Sequence, residues 1–130
     1  MKQHLALTTL LVRDYDEAIG FFVSKLDFVL LEDTFDPVRQ KRWVVVSPAG
    51  ASESRLLLAE AADERQAEQV GDQTGGRVFL FLYTDDFWRD YYCYTSRGIR
   101  FIREPKEEPY GTVAVFEDIA GNLWDLLEPK

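Results

Sequence analysis

A chain of 130 residues, 46% hydrophobic and 29% charged, suits one folded domain or two small modules sharing a core, and its composition excludes a disordered chain. Fifteen basic against 23 acidic side chains give a net charge of −8, which repels phosphate backbones and anionic membranes and favours a cationic ligand or partner. The single cysteine, Cys93, cannot form an internal disulfide, no apolar run approaches the ~20 residues of a membrane span, and Met1–His4 opens no signal peptide. The expectation is a cytoplasmic protein with neither a nucleic-acid nor a membrane partner.

Leu5–Val12 is apolar on both faces and reads as a first strand, central in a sheet. Asp14 or Asp16 then caps a helix. Tyr15, Ile19, Phe22, Val23 and Leu26 form its apolar stripe, and it ends near Lys25 with Asp27 in a left-handed turn. Phe28–Glu32 reads as a second strand and Asp33–Lys41, with Pro37, as a polar connection. Arg42–Ser47 is a third strand, Pro48–Ser54 a turn and Arg55–Glu60 a fourth strand. Ala61–Val70 is a short helix closed by Gly71.

Asp72–Gly76 (DQTGG) is the linker candidate, and beyond it the pattern restarts. Val78–Thr84 is a strand. Asp85–Asp86 caps a helix over Phe87–Arg97, closed by Gly98. Ile99–Arg103 is a strand and Glu104–Tyr110 a polar loop. Thr112–Glu117 and Leu123–Glu128 are two strands joined by the Asp118–Asn122 turn, where Gly121 is free to take a positive φ.

Each half thus runs strand, capped helix, three strands. Val12-Arg13-Asp14-Tyr15 parallels Thr84-Asp85-Asp86-Phe87. Lys25-Leu26-Asp27-Phe28 parallels Ser96-Arg97-Gly98-Ile99, and Arg55-Leu56-Leu57-Leu58 parallels Leu123-Trp124-Asp125-Leu126. This double βαβββ layout, with V-x-D before the first helix and F-E-D-x-x-G-N-x-W-D-L at the end, resembles the vicinal oxygen chelate superfamily. That group includes glyoxalase I, extradiol dioxygenases and the fosfomycin- and bleomycin-resistance proteins. The resemblance implies an α+β glyoxalase-like fold: two βαβββ modules, residues 1–71 and 77–130, in one 1–130 domain, forming a curled mixed sheet around a cavity. It also implies a homodimer.

Family enzymes hold a divalent metal with His or Glu on four strands. Carried over by motif, those positions fall on Leu7, Leu57, Phe79 and Asp125. Leu and Phe have no lone pair to donate, and one carboxylate cannot complete a coordination shell, so no metal site and no cofactor are expected. His4, the sole histidine, is three residues from Leu7, and strand alternation turns the two to opposite faces.

On the parity of Leu7 and Phe79, the cavity is lined by Leu57, Phe81, Tyr83 and Asp125, with Arg77 near its mouth and Tyr110 at its edge. The opposite parity, Leu56, Leu58, Val78, Leu80, Leu82, Trp124 and Leu126, is apolar, as a face under helices requires. Asp125 is the one carboxylate in an apolar, aromatic setting and the candidate catalytic residue. Its surroundings raise its pKa, or it pairs with Arg77 or another cation. Two functions follow: a protein that binds a cationic or aromatic small molecule without the family's metal, or a metal-dependent lyase, isomerase or dioxygenase of the glyoxalase type. A metal-free enzyme with Asp125 as its base, and a pure interaction module with its cavity closed by side chains, are further alternatives.

Overall fold

The computed structural model describes every residue except Ser52. That residue falls in the expected Pro48–Ser54 turn and lies outside the described residues. The chain divides into two compact units, Met1–Val70 and Gly71–Lys130. Each carries an open, mixed four-stranded sheet and at least one helix, which makes the chain an α+β protein of two βαβββ modules.

The first unit runs β1 (Leu7–Val12), α1 (Tyr15–Ile19), a π-helical stretch (Gly20–Lys25), β2 (Val29–Asp36), β3 (Lys41–Ser47), β4 (Arg55–Glu60) and α2 (Glu64–Gln69). Its strand order is β1-β4-β3-β2, with β1 parallel to β4 and the other pairs antiparallel. Asp14 is the N-cap of α1, its carboxylate accepting the Glu17 N–H at 2.9 Å. Asp27 takes the expected left-handed conformation, φ 60°.

Three expectations are corrected here. β1 is the terminal strand of its sheet, next to β4, and Leu7, Thr8 and Thr9 on it are exposed. Its apolar run therefore does not mark a central strand. The helix after Asp14 widens into π geometry from Gly20. The i→i+5 step changes the angular spacing, so the consecutive residues Phe21 and Phe22 both turn into the core while Ile19 and Val23 are only half-buried. β2 continues past Glu32 through Asp33-Thr34-Phe35 to Asp36, where a connection was expected. An edge strand can display polar side chains to water, and Arg42 on β3 holds Asp33 through a bidentate pair at 2.7 and 2.8 Å.

The second unit runs β5 (Val78–Tyr83), α3 (Phe87–Ser96), β6 (Phe101–Glu108), β7 (Gly111–Glu117) and β8 (Leu123–Pro129), in the order β5-β8-β7-β6. Asp86 caps α3 by accepting the Arg89 N–H at 3.1 Å, and Gly98 closes the helix at φ 84°. Tyr94 of α3 packs edge-on against Phe116, which stacks on Trp124. These rings, with Ala114 and Leu126, make the buried face beneath α3. β6 runs on through the expected Glu104–Tyr110 loop as far as Glu108, and only Pro109 and Tyr110 form the turn. Pro105 is tolerated because β6 is an edge strand with irregular pairing.

The Asp118–Asn122 turn has its own buried network. Asp118 Oδ1 accepts the backbone N–H groups of Ala120, Gly121 and Asn122, each at 3.0 Å. Its Oδ2 accepts the Asn122 side-chain amide at 3.1 Å and the Trp124 indole N–H at 3.0 Å. Asn122 Oδ1 in turn accepts the Gln73 N–H at 3.1 Å. The linker backs onto this turn: Gly71 has φ 82°, and a Cβ there would meet the Ala120 carbonyl oxygen at 2.1 Å. Asp118, Gly121, Asn122 and Trp124 of the closing motif therefore have a structural role.

Candidate ligand-binding face

Strand register assembles the site. Residues paired across neighbouring strands present their side chains on one face. Phe81 on β5 pairs with Asp125 on β8, Asp125 with Val115 on β7, and Val115 with Arg103 on β6. One row, Phe81–Asp125–Val115–Arg103, thus crosses the whole second sheet on the face away from α3. The next row is Tyr83–Leu127–Val113–Lys106. Val115 and Leu127 are buried, Asp125 is half-buried, and Phe81 and Tyr83 are 61% and 64% exposed.

Arg103 reaches this face through a bulge. Phe101 pairs with Phe116, but Arg103, two residues on, pairs with Val115, one residue back. The extra residue reverses the alternation, so Phe101 lies against Tyr91 and Phe116 while Arg103 turns to the opposite side. The first unit repeats the device: Leu30 pairs with Val46 and Glu32 with Val45. There the corresponding row is Thr9–Leu57–Val45–Glu32.

Burial in this apolar setting pushes the Asp125 carboxyl above its ordinary value, and the positive charge of Arg103 partly offsets the rise. The positive charge that Asp125 feels is that of Arg103, a cation the sequence reading did not name. Arg77 precedes β5, at the end of the sheet where Val78 pairs with Leu123. Tyr110 lies at the opposite end, in the β6–β7 turn, where its carbonyl accepts the Lys130 N–H at 3.1 Å. Phe79 falls within a register slip between Val78 and Leu80, where simple alternation no longer assigns its face, and Val78 pairs with Leu123 instead of joining the face of Leu80. Leu7 and Leu57 belong to the first sheet, on one parity of β1 and β4. Of the expected lining, Phe81, Tyr83 and Asp125 come together on one face.

The donor chemistry does not suit the metal of the family enzymes. Leu7, Leu57 and Phe79 offer no ligand atoms. Among the described residues no three His, Cys, Asp or Glu side chains converge on one point. His4 precedes β1 and is exposed. Among the described residues no helix is long and apolar enough to cross a membrane.

Residues 3–126 match the family model of the glyoxalase/bleomycin resistance protein/dioxygenase superfamily. An uncharacterized protein of Shewanella frigidimarina (strain NCIMB 400) is 59% identical over 128 residues, covering 98% of this chain and 95% of that one. Among solved structures, UcmS2 is similar with a TM-score of 0.85 and 27% identity, covering 98% of each chain. TnmS3, described as an antibiotic binding protein from Streptomyces sp. CB03234, is similar with a TM-score of 0.79 and 30% identity, covering 99% of this chain and 98% of that one. With its two βαβββ modules and a match along nearly its whole length, the chain belongs to the glyoxalase/bleomycin resistance protein/dioxygenase superfamily.

Proposed function

We propose that this protein binds a small aromatic molecule on the helix-free face of its second sheet, without the metal of the family's enzymes. The observation that carries the reading is the row Phe81–Asp125–Val115–Arg103. It sets an exposed ring, an apolar floor and one half-buried carboxylate side by side. Aromatic and apolar walls supply affinity and a few polar groups fix orientation in small-molecule sites generally. Asp125 accepts a hydrogen bond from a hydroxyl or ammonium group of the ligand. The description of TnmS3 as antibiotic binding, at 30% identity, supports the same class of function, and the apolar side chains of Leu7, Leu57 and Phe79 at the family's ligand positions support a site built without metal. The reading includes a homodimer, favoured by the exposed apolar residues Val29, Leu31 and Phe35 on edge strand β2.

Calorimetric titration in EDTA tests it, with doxorubicin as a cationic aromatic probe and bleomycin as a cationic glycopeptide. Saturable binding of doxorubicin, weakened about tenfold by Phe81→Ala through loss of ring stacking, is expected. Silence from both probes, or binding that requires an added divalent ion, would contradict the reading.

A further inference from the structure

The helix-free face of the second sheet is not uniformly acidic. Arg103 is exposed, and among the described residues it forms no salt bridge or side-chain hydrogen bond. Lys106, in the neighbouring row, is already tied to Glu108 at 3.1 Å. Among the described residues, Arg103 is thus the cation of these two rows without a salt bridge. It stands two strands from Asp125, with Val115 between them. At a strand spacing of about 4.8 Å, the two backbone positions are roughly 10 Å apart. Phe81 lies one strand beyond Asp125.

We propose that the ligand of this face is an aromatic carboxylic acid with a hydroxyl or amino group at its far end. Its ring system lies over Val115 and against Phe81, its donor group reaches Asp125, and its carboxylate meets the Arg103 guanidinium. A guanidinium presents two parallel N–H donors that match a carboxylate. A fused bicyclic ring with groups at opposite ends has the span this row requires. The corresponding position of the first sheet is Glu32, so the acid preference belongs to the second sheet alone. The net charge of −8 acts at long range and is screened beyond about 10 Å, whereas Arg103 acts in contact.

This inference rests on the binding function proposed above, and the experiment separates the two. The probes are 6-hydroxy-2-naphthoate and its neutral isostere 6-hydroxy-2-naphthamide, titrated by calorimetry into wild type, Arg103→Gln and Phe81→Ala. Arg103 is exposed, so Arg103→Gln leaves the core intact. The acid binds wild type about tenfold or more tightly than the amide, Arg103→Gln brings the two within about twofold, and Phe81→Ala weakens both. Equal affinities on wild type, or an acid preference that survives Arg103→Gln, overturn this inference and leave the aromatic-binding function standing. Failure of both naphthalenes and of doxorubicin overturns both.

Discussion

The backbone N–H of Phe87 donates to the Glu128 carboxylate at 2.7 Å, tying the first turn of α3 to the end of β8. The first unit repeats the relationship: the Tyr15 N–H donates to Glu60, at the end of β4, at 3.3 Å. Each module helix therefore begins between two carboxylates, its own N-cap and one from the fourth strand of the module, where the helix dipole favours negative charge. Glu128→Ala is expected to cost about 1 kcal/mol, a fall in Tm of roughly 4 °C, while Glu128→Gln, which keeps an acceptor, costs less. Thermal melts of the two variants check this.

Asp118 has a larger structural role. It is 6% exposed and accepts five hydrogen bonds from the turn, Asn122 and Trp124. Asp118→Ala strands buried donors and is expected to cost about 3 kcal/mol or more in urea denaturation. Asp118→Asn keeps one acceptor oxygen but turns an amide toward the Trp124 N–H, and its loss falls between that of alanine and wild type.

The Arg42 pair responds to acid. Hydrogen bonding to Arg42 holds the Asp33 carboxyl below its ordinary value, and Asp16 meets the same guanidinium at 2.9 Å. A carboxyl with a depressed folded pKa stabilises the fold above its unfolded value, about 3.9, and that stability is lost as pH falls toward the folded value. Arg42→Ala therefore lowers Tm at pH 7, and the difference from wild type narrows below about pH 4. Because both side chains are partly solvated, added salt also reduces the difference.

Asp125 behaves in the opposite sense. Burial raises its folded pKa, so folding disfavours its ionised form and stability falls as pH rises past the unfolded value of about 3.9. Asp125→Asn is expected to raise Tm at pH 7, with the gain vanishing below about pH 3, while weakening any ligand that donates to the carboxylate. A residue that costs stability and contributes to binding has the signature of a functional position. A variant with lower Tm at pH 7 would show Asp125 to be structural.

Much of this was legible in the sequence because the local signals agreed with the fold. Asp14, Asp86, Asp27, Gly98 and Gly121 stand where caps and turns require them. Thr112–Glu117 and Arg55–Glu60 read directly as strands. The bulges were not legible. Polar residues on β2 and β6 resembled loops, since edge strands need no apolar outer face, and the register slips before Glu32 and Arg103 broke the alternation. Arg103 was missed for that reason. Two signals could have found it: Pro105, which marks an edge strand or bulge, and the repeat itself, which aligns Arg103 with Glu32. The width of the π-helical stretch had no counterpart in the periodicity of its apolar residues.

The most direct test of a metal-free binding protein is the metal content of the chain purified without chelator, measured by elemental mass spectrometry beside melts in manganese, nickel and zinc. The account predicts far less than one ion per chain and an unchanged Tm in each metal. One ion per chain, with a Tm raised by that same metal and lowered by EDTA, would contradict it and put a metal-dependent enzyme of the glyoxalase type in its place.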